Sequence, residues 1–536
     1  MVFTLFSLLT VSMVAGFSFL SYSSVFTTVP DAPSFEFEGL HISQAYEDWY
    51  RIWEGNGTLS DIFDILVDSS GNIYATGRSG IPGDSFSYNI TLFKFDPNGN
   101  LLWERDWRGG SLHSIGNGLA NDSLGNIYVS GSDANYMGSV SYLCLLKYSP
   151  TGNLLWDMRW GKAGDFSGGY DVTVDSDGNA YVTGRVGATN GQMVLAKFNS
   201  TGHYQWNITW GTWDSESGQG IAMDKTTGNF YITGIDSNYT NTVYDVFLNC
   251  FNSTGDLEWS TVWDSGEEDI ANDIALNSNG DIFVSGYSEI NGVGNQDLLL
   301  IKFNSMGVAQ WNKTWSGVSD LEESTGLAID SSDNVYMTGR IDLGSGDNVA
   351  LIKVNSTDEV EYVTEWNLSG DQFGLCVDVD SSDNLYIGGN TEATTYTDNL
   401  LVKFSAISDM AGPVITNVAA SDDPLPVGAV QTITCDVSDA TGITSVTAYL
   451  DKEIVIATIP LYDDGAHGDG AAGDGTYGNT WDSTGAEDGL YRIDIQAIDN
   501  STFQNVGFLN NGGNFTIISP PSITITLPAG GSSHGA

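Results

Sequence analysis

The alternation of apolar and polar positions repeats along most of the chain. The segment GLAIDSSDNVYMTG, beginning at Gly326, is a short apolar run, a polar turn and a second run ending in glycine. That final glycine recurs at Gly77, Gly131, Gly184, Gly234, Gly286, Gly339 and Gly389, at spacings of 50 to 54 residues. Short runs bounded by Asn, Asp and Gly turns predict strands and tight hairpins rather than helices. A third apolar run, such as Leu298 to Phe303, and a fourth, closing with Trp-x-x-x-Trp, complete each copy. Four strands per period of about 50 residues predict a propeller blade.

The tryptophan motif gives the closure. It stands at Trp103 and Trp107, Trp156 and Trp160, Trp206 and Trp210, Trp259 and Trp263, and Trp311 and Trp315, with Tyr362 and Trp366 as a variant. The seventh copy lacks it, but Trp49 and Trp53 precede the first copy. Residues 49–53 are therefore expected to pair with Asn399 to Phe404, closing the ring and removing a free sheet edge. A spacing of four puts both rings on one side of a strand, where packing is the expected use.

The GN-x-Y-x-(T/S)-G second strand, the LLxKF third strand and the Trp-x-x-x-Trp fourth strand resemble the SBBP family of bacterial and archaeal β-propeller repeats. The resemblance covers roughly residues 49–407. It implies a propeller on a secreted or surface protein and brings no catalytic residues with it.

After Lys403 the period stops. The runs VITNVAAS, VQTITCDVSD, ITSVTAYLD, YRIDIQAID and FTII have the spacing of a β-sandwich. The stretch Asp463 to Tyr477, DDGAHGDGAAGDGTY, resembles the DDGxHGDxxAGDGxY signature of immunoglobulin-like modules, which implies a spacer or stalk. The expected fold is thus all-β: a seven-bladed β-propeller at 49–407, then an immunoglobulin-like β-sandwich at 408–519. An uncharged apolar segment, 1–29, reads as a signal peptide or N-terminal anchor, followed by a linker, 30–48. The tail, 520–536, reads as the start of a further module cut short.

Charge narrows the partners. The net charge is −50, from 68 acidic and 18 basic residues, which repels phosphate backbones and excludes nucleic acid. Twelve Asn-x-Ser/Thr sequons fit an external compartment. The four cysteines form no CxxC pair, sit in apolar runs, and are expected to be buried and unpaired. No Gly-x-Ser-x-Gly, HExxH or P-loop motif occurs, and of five histidines His113 alone is expected in a long propeller loop. The expected function is non-catalytic binding or adhesion, with the long, polar and aromatic loops gripping a glycan or a cell-surface protein. The chain is expected to be secreted or on the cell surface, attached to a membrane through its N-terminus or a C-terminal anchor. The alternatives are a structural component of a surface layer and, ranked lower, a quinone-dependent propeller enzyme.

Two sets of residues are singled out. Arg78, Arg185 and Arg340 follow the repeat glycine in three copies; they are expected either to bind an anionic group at the channel mouth or to pair with loop carboxylates. Asp463, Asp464, Asp469, Asp474 and Asp482 lie among glycines with no Lys or Arg between them. Calcium takes six to eight oxygens, and a flexible loop lets them converge. The competing expectation is a hairpin whose aspartates cap turns. The lysines on the third strand, Lys94, Lys147, Lys197, Lys302, Lys353 and Lys403, are expected to pair with aspartates ending the first strand, the alternative being that each aspartate caps its own turn through backbone N–H groups.

Overall fold

A computed structural model describes residues 42–44, 47–53 and 59–518, apart from 82–83, 136–140, 162–165, 188–190, 212–215, 238–243, 291–293, 318–320, 343–345, 369, 393–396, 406–412, 440–441, 453–454 and 500–505. The N-terminal segment 1–29 and the tail 520–536 lie outside the described residues. Among the described residues every regular element is a strand, and no helix is long and apolar enough to cross a membrane.

The fold is all-β and propeller-like. Seven consecutive units of four antiparallel strands share one order, first strand to fourth. The first strands are Ser60–Val67, His113–Asn121, Ser167–Val174, Ser217–Met223, Asp269–Leu276, Glu323–Ile329 and Asp371–Val379. Each touches the next, and the seventh touches the first, so the units form a closed ring. The fourth strand of the seventh unit is Trp49–Trp53: Trp49 pairs with Lys403 and Trp53 with Asn399, as the motif count predicts. Two strands add to the pattern. Tyr88 pairs with His113 and joins units one and two into one sheet. Ile42–Gln44 runs parallel to Val360–Trp366, inside the stretch expected to be linker, and Trp366 Nε1 donates to Glu47 at 2.7 Å.

Stacking of the units decides where apolar residues fall. A sheet between two others is covered on both faces, so its inner strands carry runs of consecutive apolar residues. In unit five, Leu298, Leu299, Leu300 and Ile301 are all fully buried. The outer strands alternate instead, as in Leu154–Trp160.

The first tryptophan of five of the six pairs clasps the next unit. Trp103 packs on Gly152, Trp156 on Gly202, Trp206 on Gly255, Trp259 on Gly307, and Trp49 on Gly99 across the closure. Each of these glycines has φ between +73° and +90° in a hairpin turn, and a side chain there would meet the indole. The same indoles sit edge-on to a second-strand ring of their own unit: Trp103 on Tyr74, Trp156 on Tyr128, Trp206 on Tyr181 and Trp49 on Tyr386. The repeated lysine lies over the same tyrosine ring, with Lys94 Nζ 4.6 Å from the Tyr74 centroid and Lys147 Nζ 4.6 Å from that of Tyr128.

The expected lysine–aspartate pairs form in two units, Lys94–Asp68 at 3.9 Å and Lys147–Asp122 at 3.0 Å. In all six units that carry it, these two included, the aspartate caps its own turn. Asp330 accepts from the Ser332 and Asn334 N–H groups and from the Tyr336 hydroxyl, while Lys353 pairs with Glu361.

The C-terminal part is a two-sheet sandwich. One sheet holds Val414–Ala420, Val430–Ser438 and Thr476–Asp482; the other holds Leu425–Pro426, Val506–Ile518, Gly489–Asp499, Ile443–Asp451 and Val455–Leu461. Ile433, Cys435, Leu450, Ile493, Tyr491 and Phe515 fill the space between them. Of the aspartate-rich stretch from Asp463 to Asp482, the last part, Thr476–Asp482, is a strand paired with Val430–Asp436. All four cysteines of the chain are buried and unpaired.

Candidate functional site

Every first strand carries a β-bulge at the same place. The register skips Phe63, Asn117, Tyr170, Gln219, Asn272, Thr325 and Leu375 in units one to seven. A bulge leaves one residue unpaired and bends the strand. All seven skipped residues line one cavity of about 230 Å³, so the cavity lies where the seven first strands meet, on the ring axis.

The bulge explains the repeat glycine. Opposite it, the carbonyl oxygen of the first strand is pushed against the second strand at Gly77, Gly131, Gly184, Gly234, Gly286, Gly339 and Gly389. A Cβ at any of these would lie far inside 3.0 Å of that backbone oxygen. None of the seven has a positive φ, so close approach rather than backbone conformation demands glycine. The residue before it, Thr or Ser in six units, is fully buried; Thr76, Thr183, Thr233 and Thr338 donate to a third-strand carbonyl.

The residue after the bulge is Asp64, Asp171 and Asp273 in units one, three and five, and Gly118, Gly220 and Gly326 in units two, four and six. Each aspartate accepts two backbone N–H groups, one its own neighbour's and one across the gap. Asp64 takes Ile65 and Leu119; Asp171 takes Val172 and Ile221; Asp273 takes Ile274 and Leu327. The receiving unit offers the N–H that follows its glycine, and a Cβ at Gly118 or Gly326 would crowd the backbone of Asp171 or Cys376 in the unit beyond. In unit seven Cys376 takes the place of the aspartate, and Asp378 makes the same latch two residues later, to Val379 and Val67. Burial drives these carboxyls upward: Asp171 and Asp378 to about 6, and Asp273 to about 7 with the charge of Asp171 added. Asp64 rises well above the usual range, from burial and from the charges of Asp171 and Asp273.

Bulge residues fasten further junctions. Asn117 Nδ2 donates to Gly169 O at 2.7 Å, Asn272 Nδ2 to Ser324 O at 2.9 Å and Thr325 Oγ1 to Gly374 O at 2.7 Å. Six of the seven junctions thus hold a polar latch beside the axis. Amides and aromatic faces from Asn117, Gln219, Asn272, Phe63 and Tyr170 make up much of the cavity wall. The sequence reading missed this site. Its signal was the alternation of Asp and Gly, one residue past the bulge, in successive copies.

The residues singled out from sequence lie elsewhere. None of the three arginines lines the cavity. Arg78 pairs with Asp61 at 2.5 Å and lies over Phe63 and Tyr88; Arg340 lies 3.9 Å from Asp347 and over Phe373; Arg185 lies over Phe166. Asp61 and Asp347 belong to strands, not to the long loops, because the arginine follows the repeat glycine and faces the neighbouring strands. His113 opens a strand beside Tyr88 rather than sitting in a loop, and burial lowers its pKa.

In the sandwich each aspartate serves a turn. Asp463 accepts from Gly473, Asp474 and Gly475; Asp464 from Ala466 and the His467 ring; Asp469 from Asp464, Gly465 and His467; Asp474 from Ala471 and Thr476; Asp482 from Thr484. Among the described residues the group of three acidic side chains that converges closely enough for one ion is a different one, Asp245, Asp264 and Asp269.

No family model and no curated relative matches the chain. Solved structures do resemble it. The polysaccharide lyase Uly1 is 13% identical over 70% of this chain and 94% of its own, with a TM-score of 0.43. The β-propeller domain of the Trilobed protease from Pyrococcus furiosus is 10% identical over 68% of this chain and 97% of its own, at 0.37. The plexin A4 extracellular region is 9% identical over 89% of this chain and 53% of its own, at 0.44. None reaches 0.5, and the functional argument rests on the chain's own residues.

Proposed function

We propose that the chain is a secreted or surface-displayed seven-bladed β-propeller followed by an immunoglobulin-like sandwich, and that it binds a glycan or a cell-surface protein without catalysing a reaction. The observation that carries this is the use of the axial carboxylates. Perturbed carboxyls in a cavity ordinarily mark acid–base chemistry. Here each spends both oxygens on backbone N–H groups and ties one blade to the next.

The wall that remains is amide and aromatic, which suits a neutral, hydroxylated group: amides exchange hydrogen bonds with hydroxyls, and ring faces pack on C–H surfaces. At about 230 Å³ the cavity takes one sugar ring rather than a chain. The acidic surface disfavours phosphorylated and sulfated glycans. The sandwich serves as the spacer that carries the propeller away from its attachment.

A glycan array with the full chain tests this. Binding of neutral glycans is expected, weakened at least tenfold by Gln219→Ala and Tyr170→Ala. A blank array from a folded, monodisperse protein, with an absorbance scan showing a bound chromophore, overturns the reading in favour of an enzyme.

A further inference from the structure

We propose that Asp245, Asp264 and Asp269 form a calcium site at the junction of the fourth and fifth units. One carboxylate oxygen from each lies within 4.8 Å of the other two. Calcium binds oxygens at about 2.3–2.6 Å, so two ligands of one ion stand up to about 5 Å apart. The donors are all hard oxygens, with no nitrogen or sulfur among them, which favours calcium over zinc or copper.

The strands bring these residues together. Asp236 and Asp245 face each other directly across the second and third strands of unit four. Trp263 pairs with Val246, so Asp264, one residue on, comes level with Asp245. Asp269 opens the first strand of unit five. It is fully buried and accepts from the Ser265 N–H and hydroxyl, which fixes its carboxylate. Asp264 is exposed and gives an ion a way in.

Two observations separate this cluster from a plain acidic surface. Asp245 is nine-tenths buried, points into the cluster, and accepts no hydrogen bond from any described residue. A buried carboxylate without donors is costly unless a cation or a proton neutralises it. The second observation is a comparison within the ring. Like charges directly opposite each other on a sheet destabilise it. Where unit six sets Asp342 opposite Asp347, burial raises the Asp347 pKa, and Arg340, 3.9 Å away, opposes that rise. At the register position of Asp236 and Asp245, the other units pair Ser79 with Asn89, Asp133 with Tyr142, Val186 with Gln192, Ser288 with Asp297, Ile341 with Asn348 and Thr391 with Asp398, never two acids. Unit four keeps the acidic pair, and the charges acting on Asp245 all come from carboxylates. Burial, with Asp264, Asp269 and Asp236, pushes it up to about 7.

The test is calcium alone, titrated into the full, chelator-treated chain, followed by melting temperature and by terbium luminescence. Calcium is expected to raise the melting temperature by several degrees. Asp264→Ala, an exposed change that leaves folding intact, is expected to weaken calcium binding at least tenfold. Asp245→Asn is expected to abolish the shift while raising the melting temperature of the metal-free chain, since it removes the repulsion. Asp463→Ala, in the sandwich loop, is expected to leave the shift whole. The proposal is overturned if calcium gives no shift. It is equally overturned if both Asp264→Ala and Asp245→Asn keep the full shift, or if Asp463→Ala alone removes it.

Discussion

Glycine answers to different demands in the two halves of the chain. In the ring, Gly286 and its six counterparts have ordinary backbone angles, and they are glycine because a bulged strand drives a carbonyl oxygen into the space a Cβ would fill. In the sandwich loop, Gly465, Gly468, Gly470, Gly473 and Gly475 all have φ between +73° and +103°, which calls for glycine whether or not there is room for a side chain, and Gly473 and Gly475 do have room beside them. The first kind is set by a neighbouring strand and recurs with the ring. The second is set by the local turn. A repeat glycine is thus a mark of tertiary structure, and a glycine-rich loop a mark of secondary structure.

The comparison breaks most visibly at the ring. Gly286→Ala puts a methyl group onto the Ile270 carbonyl, and every close atom it meets is backbone rather than a side chain that could move aside. The expected cost is beyond about 4 kcal/mol, enough to unfold the ring, read as loss of near-ultraviolet circular dichroism while the sandwich still melts separately. An alanine protein with an unchanged melting curve would show that the bulge relaxes.

Next in size is the closure. Trp53 packs on Phe93 and Phe95 of the first unit, 5.3 and 5.1 Å between ring centroids. Trp53→Ala is expected to cost about 3 kcal/mol, with the transition assigned to the propeller by calorimetry. A loss confined to the sandwich transition would contradict the pairing of Trp53 with Asn399.

The axial latches come third. Asp171→Ala leaves the Ile221 and Val172 N–H groups without their acceptor, at about 2 kcal/mol for buried donors. The latches also set a pH dependence. Their folded pKa values, about 6 for Asp171 and Asp378 and about 7 for Asp273, stand above the unfolded value of about 3.9. The folded chain therefore binds more protons between pH ~4 and ~7, and its stability falls as pH rises through that window. The melting temperature is expected to climb from pH 8 to pH 5, less steeply in Asp171→Ala. A melting temperature that drops over that range would refute the assignment.

The fold was legible where sequence and contact share a period. The glycine spacing gave the units, and the unpaired Trp49 and Trp53 gave the closure that Trp49↔Lys403 completes. The axial site was not legible in the same way. Phe63, Asn117, Tyr170, Gln219, Asn272, Thr325 and Leu375 share a position but no chemistry, and the bulge that gathers them shows in the sequence only indirectly, through the glycine opposite it and the Asp and Gly that alternate one residue past it. Of the two expectations for the arginines, pairing with carboxylates is the one seen at Arg78 and Arg340, but the partners Asp61 and Asp347 lie on neighbouring strands rather than in loops, which the repeat position alone does not reveal. The sandwich aspartates left two expectations open because turn capping and calcium binding draw on the same residues, and only three-dimensional convergence separates the two. The converging set, Asp245, Asp264 and Asp269, spans 25 residues and two units and forms no compact motif.

The smallest effect sharpens the contrast. Gly473 has φ +80°, and nothing lies within 4 Å of the position a Cβ would take. Alanine there meets no neighbour and pays only for the left-handed backbone, about 1 kcal/mol, partly offset by a less flexible unfolded chain. The Gly473 N–H bond to Asp463 Oδ1 survives the substitution, because it depends on backbone that alanine also provides. Gly473→Ala is therefore expected to lower the sandwich transition by a few degrees and leave the propeller transition unmoved. The same substitution, glycine to alanine, then separates the two demands by its cost alone. If Gly473→Ala proves as damaging as Gly286→Ala, the loop is held by packing rather than by turn geometry, and the distinction between the two kinds of glycine fails.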